Sequence, residues 1–109
     1  MQTKPEKDLE LRNKVNRETA RLPWTELLKH FAQGNVVWVA DSLDLVDVAV
    51  RISHDDKAHI GQWMEASLLA RVSDQQAQEW LQQDAHLWAC VVSPFILVQQ
   101  EKAAPSNLH

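Results

Sequence analysis

Apolar residues mark this chain into short blocks, and their spacing predicts alternating helices and strands. From Glu6 to about Arg21 the sequence is charged and lacks Gly and Pro. Leu11, Val15 and Leu22 fall four and seven residues apart, which predicts a helix with a thin apolar stripe. Pro23 interrupts it, because proline lacks a backbone donor and disfavours helix in the residue before it. A second helix follows: Trp24, Leu27, Leu28 and Phe31 occupy one helical face, and Gly34 suits a left-handed stop.

Val36–Ala40 is rich in β-branched and aromatic residues and reads as a buried strand. Residues 41–53 fit two periods. Val46, Val48, Val50 and Ile52 alternate as in a strand, whereas Leu45, Val48, Ala49 and Ile52 share a helical face. The polar residues Asp44, Asp47 and Arg51 step by three and four, which favours a helix capped by Asp41 or Ser42 with Asp44 in its first turn. The competing strand over 45–52 would form a hairpin with 36–40.

Asp55 or Asp56 caps a further helix that buries Ile60, Trp63 and Met64. Leu68–Val72 reads as a short strand. Ser73 with Gln76 forms a capping box for a helix whose inner stripe is Ala77, Trp80 and Leu81. Leu87–Val92 is the strongest strand, and Pro94 bends the chain into an edge extension or fourth strand at Phe95–Val98. Residues 56–72 and 73–89 repeat the order cap, helix, tryptophan, turn, strand, but two copies do not make a repeat architecture. If the strands at 68–72 and 87–92 are parallel, the helix between them is a right-handed crossover. The expected fold is α+β, a small three- or four-stranded sheet packed with about five helices. A single globular domain is expected over 6–100, with flexible polar tails at 1–5 and 101–109.

Composition sharpens this picture. At 109 residues, with 45% hydrophobic and 24% charged, the chain suits one folded domain with its own core. The single cysteine, Cys90, rules out an internal disulfide framework. No apolar run approaches the ~20 residues that cross a bilayer, and no secretory leader is read at the start. A soluble cytoplasmic protein that avoids membranes is expected. The formal net charge is -4. A slight basic excess lies in the first thirty residues, and the remainder is clearly acidic, which argues against nucleic acid as a partner.

The residues Glu18-Thr19-Ala20, Pro23-Trp24, Val37-Trp38-Val39-Ala40, Asp44-Leu45-Val46-Asp47-Val48-Ala49, Asp55-Asp56, Trp63, Val72-Ser73-Asp74, Trp80, Leu87-Trp88-Ala89 and Pro94 resemble a bacterial family. It is the domain of unknown function numbered twenty-two eighty-eight. The resemblance runs from about Leu11 to Gln100. It implies a small stand-alone bacterial protein and brings no activity, substrate or catalytic residue.

Candidate chemistry is sparse. The segment from His54 to His59 carries metal-ligand types, with His54, Asp55 and His59 as the candidates for zinc, manganese or iron. Two histidines five apart across a helix start do not converge, unlike the four-residue spacing of a helical zinc pair. An aspartate cap flanked by two exposed histidines is the favoured reading, with no stoichiometric metal site expected. Asp41, Asp44 and Asp47, three apart, could form an acidic patch on one broad helix face. Cys90 lies in an apolar strand and reads as a buried thiol. With two glycines in the chain there is no Gly-rich phosphate loop, and no cofactor is expected.

Five tryptophans and no tyrosine are the most unusual feature. Core packing accounts for most of them. Trp24 and Trp88, near element ends, are the candidates for an interface or pocket. The expectation is a non-enzymatic protein-interaction or self-association module. The alternative is a small ligand- or metal-binding protein, or an enzyme, using the acidic and histidine patch.

Overall fold

A computed structural model describes residues 5–100, with side chains from Leu9 onward. The chain forms α1 (Pro5–Glu18), β1 (Ala20–Pro23), a 3-10 turn (Trp24–Leu27), α2 (Leu28–Ala32), β2 (Val36–Val39), α3 (Leu45–Ser53), α4 (Lys57–Glu65), β3 (Leu69–Arg71), α5 (Asp74–Gln82), β4 (His86–Val92) and β5 (Phe95–Gln100). The strand order is β1-β4-β5-β2-β3. Only the β5–β2 contact is parallel.

The fold is α+β, and its sheet has five strands, one more than the upper expectation. The extra strand is β1. Its residues 20–23 were expected at the end of the first helix and the break after it. Leu22 does not extend the α1 stripe. It pairs with Leu87 of β4 and packs in the core on the sheet's other face. The segment at Phe95–Val98 is no edge extension: β5 lies mid-sheet between β4 and β2. The strands at 69–71 and 86–92 are separated by β2 and β5, so α5 crosses over two strands. Of the tails expected at 1–5 and 101–109, residues 1–4 and 101–109 lie outside the described residues, whereas Pro5 is the first residue of α1 and not part of a tail.

Helices cover both faces of the sheet. On one face Trp24, Leu27, Ala77 and Trp80 pack on Val36, Leu87, Ala89, Ile96 and Val98. On the other, Val15 of α1 and Leu45, Val48 and Ala49 of α3 pack on Val39, Leu69, Cys90 and Leu97. This is why β2 and β5 read as continuous apolar runs: alternate side chains enter opposite cores, and most of both faces is covered. Trp24 is 1% exposed and meets Phe31 and Trp80 edge to face, with ring centroids 5.5 and 5.0 Å away. Its indole N–H finds no acceptor among the described residues, so shape alone holds it.

Residues 45–53 are helical, as their polar spacing favoured. Four helices end in the same way. Gly34, Asp55, Ser67 and Asp84 each have positive φ one residue past a helix C-cap. In each, the next amide reaches back to a carbonyl in the last helical turn: Asn35 to His30, Asp56 to Arg51, Leu68 to Trp63 and Ala85 to Trp80. This is the Schellman arrangement, in which a left-handed residue lets the chain reverse while satisfying the last carbonyls. It turns α4 into β3 and α5 into β4, which accounts for the likeness between 56–72 and 73–89. Ser73 and Gln76 form the expected capping box.

Candidate functional site

A cleft that gathers four separate segments of the chain has a volume of about 530 Å3. Asn16 and Thr19 line it from the end of α1 and the residue after it, and Ser42, Leu43, Asp44 and Leu45 from the β2–α3 loop and the start of α3. Its floor is Trp88 of β4 beside Gln99 of β5, which are Cα partners in the ladder.

Trp88 lies on the sheet face that α1 and α3 cover. Strand alternation puts it on the same side as Cys90, which is buried. Trp88 itself sits nearer the end of the sheet and stays 39% exposed. It is the most exposed of the five tryptophans. Trp24, the other indole expected at a surface, is in the core. It heads a 3-10 turn that folds it inward against α2 and α5, so it cannot meet a partner.

Gln99 builds the cleft wall. It is 7% exposed, and its Nε2 donates to the carbonyls of Ala40 (2.8 Å) and Leu43 (2.7 Å). Two carbonyl acceptors fix the orientation of the amide. The two bonds tie the β2–α3 loop to β5, and the amide of Leu43 closes a turn onto Ala40 O. The helix therefore starts later than expected. Asp44 is its N-cap, accepting from the Val46 amide at 3.0 Å, in place of Asp41 or Ser42.

The three aspartates consequently do not share a helix face. Asp41 is exposed in the loop, Asp44 caps α3 at the cleft, and Asp47 lies in the first turn of α3. Asp47 accepts from Arg12 Nη2 of α1 at 2.9 Å, with Arg51 Nε 3.7 Å away. Arg51 also bonds Asp56, at 3.2 Å. A chain of opposite charges thus connects α1, α3 and the cap of α4.

The histidine segment is structural in the same sense. Asp56 caps α4, accepting from the His59 amide, and its other oxygen lies 2.8 Å from His59 Nδ1. The His59 backbone N–H is the main cause that holds the Asp56 carboxyl below the usual aspartate range. The His59 ring and Arg51 add to it, against partial burial. His54 is the C-cap of α3, and Asp55 is exposed with positive φ. Among the described residues, no three His, Cys, Asp or Glu side chains stand close enough to hold a metal ion.

Cys90 is 1% exposed. Burial pushes its thiol pKa up, with Thr19 opposing and Glu18 reinforcing the shift. It is therefore a protonated thiol, poor as a nucleophile.

Sequence reasoning marked Trp88 and Asp44 together as interface or pocket candidates, and it gave Asn16, Thr19, Ser42 and Gln99 no place in a site. No local signal identifies these four. They converge because α1 ends beside β4 and because Gln99 pins a loop nearly sixty residues earlier in the chain.

The family model described as "Protein of unknown function (DUF2288)" matches residues 10–100. The chain belongs to this family. The match runs from residue 10, within α1, through β5, so the whole sheet and the Trp88 cleft lie inside it. Among solved structures, the chain is similar to PA1075 from Pseudomonas aeruginosa, determined in solution by NMR. The two share 34% sequence identity over 100% of both chains, with a TM-score of 0.77. No functionally curated protein matches the sequence. The function of the family is unknown, and so is that of this member. Among the described residues, no helix is long and apolar enough to cross a membrane.

Proposed function

We propose that this protein is a non-enzymatic interaction module that binds another protein chain in the cleft over Trp88. One observation carries the reading: a fold that buries Trp24 and Trp80 almost completely leaves Trp88 open in a concave site. Tryptophan is enriched among residues that dominate binding energy, because it offers a large rigid surface with a polar edge.

The polar groups around it support binding over chemistry. Asp44, Thr19 and Gln99 all bond to backbone groups and hold the walls in place. Thr19 also touches the Cys90 thiol, but burial keeps that thiol protonated, so the contact does not supply the activated nucleophile that covalent catalysis requires. The favoured contact is a basic side chain of the partner, stacked on the indole and facing Asp44. Cation–indole attraction and the net charge of -4 both favour it. A cytoplasmic setting goes with this reading, since the single cysteine leaves no disulfide that would need an oxidising compartment.

The test is quantitative capture of partners by the purified protein and by Trp88→Ser, then reconstitution with the purified partner. A second copy of this chain counts as a partner. The expected result is a partner whose affinity falls about tenfold or more in Trp88→Ser. Leu81→Ser, which alters another half-exposed apolar residue, should leave it unchanged. A capture profile indifferent to Trp88 contradicts the reading.

A further inference from the structure

A second hollow opens on the face of the sheet that carries α3 and α4, and it shares no lining residue with the Trp88 cleft. Its volume is about 310 Å3, near the lower end for small-molecule sites. The walls are apolar: Val37 and Leu69 from the sheet, Ile52 and Ile60 from the helices, and Phe95. Met64, 58% exposed, also lines it, and its unbranched thioether can adapt to different shapes.

Two charged residues line this hollow, Asp55 and Arg71. Asp55 stands with Ile52 and Phe95 on the wall shared with the neighbouring hollow beside α1, whereas Arg71 lines this one alone. Arg71 belongs to the edge strand β3, opposite Val37. Its Nη1 lies 3.6 Å from where a side chain at Gly34 would begin, so the guanidinium reaches the turn that precedes β2. Nearby, Arg12 and Arg51 pair with Asp47, and Arg51 and His59 with Asp56. Arg71 forms no ion pair among the described residues.

We infer that this hollow binds a small carboxylate with an apolar body, the tail among Ile60, Leu69 and Phe95 and the carboxylate against Arg71. An apolar pocket with a cation at one place on its rim and a carboxylate at another orients an anionic amphiphile with its head on the cation. The guanidinium fork matches a carboxylate in two parallel hydrogen bonds. Asp55 on the far wall disfavours the reversed pose. The volume limits the body to one ring or a short chain.

The probe is hydrocinnamate, with neutral hydrocinnamamide as its comparator, followed by amide shifts in two-dimensional NMR. Saturable shifts at Val37, Ile60 and Leu69 in the millimolar range are expected. The amide, and the Arg71→Gln variant with hydrocinnamate, should each bind about fivefold or more weakly. Arg71 is exposed, so the variant keeps the core intact. Trp88→Ser should bind as the wild type does, which separates this site from the interaction cleft. The inference is overturned if no saturable shifts occur at these residues, or if the acid and the amide bind equally, or if Arg71→Gln changes nothing.

Discussion

Trp88 and Gln99 are direct partners across the β4–β5 ladder, one left open to solvent and the other buried and bonded to two carbonyls. The pair forms the floor of the cleft, and Gln99 also holds its β2–α3 wall. Replacing Gln99 by leucine keeps the volume and removes both donors. Leu43 O then loses its hydrogen bond, and Ala40 O keeps only the turn bond from Leu43. A loss of about 1–2 kcal/mol is expected in urea unfolding, with faster amide exchange through 41–44. Unchanged stability and exchange would mean that the loop holds without Gln99.

The tryptophans should separate by cost. Trp24→Leu opens a void beside Phe31 and Trp80 and is expected to cost about 2–4 kcal/mol. Trp88→Leu removes an indole that is already 39% exposed and should cost less than about 1.5 kcal/mol. Urea midpoints of the two variants decide this. Equal costs would show that Trp88 is part of the core.

Ser67 and Asp84 hold left-handed backbone without being glycine, at φ 61° and 52°. A side chain in that region costs roughly 1–2 kcal/mol, and glycine returns part of the gain as unfolded-state entropy. Ser67→Gly and Asp84→Gly are each expected to stabilise the protein by about 0.5–1 kcal/mol. At Gly34, already glycine with φ 78°, alanine should destabilise instead. Thermal or urea unfolding of the three variants checks the signs.

Acid should weaken the α4 cap in a defined window. The Asp56 carboxyl titrates below its ordinary value of 3.8 when folded, chiefly because the His59 backbone N–H donates to it. A group with a depressed folded pKa adds stability above its unfolded pKa, and that stability is lost as pH falls through the folded pKa. Wild type should exceed Asp56→Asn in stability at neutral pH. The gap should close only as pH drops below 3.8. A gap independent of pH would show that the carboxylate charge contributes nothing.

Much of the fold is legible where punctuation is local. Gly34 ends α2, Ser73 and Gln76 start α5, and the apolar run at 87–92 is β4. The ambiguous 45–52 segment resolves as a helix because Asp47 and Arg51 share its outer face, where they are ion-paired. β1 was illegible for a physical reason: with one large apolar residue, Leu22, in four, its identity comes from pairing with β4 some sixty-five residues later. Of the site, Trp88 and Asp44 were visible as residues, but their meeting was not. Spacing rules reach a few residues, whereas the cleft is assembled from four separate segments by sheet order and by the Gln99 bonds.

The central claim is that Trp88 and the cleft above it receive a partner chain. The direct measurement is two-dimensional NMR of the labelled protein as the captured partner is added. The account predicts that the Trp88 indole resonance and the amides of Asn16, Thr19, Ser42 and Asp44 move together, while Trp24 and Trp80 stay in place. Shifts confined to another surface, with Trp88 unmoved at saturation, would contradict it.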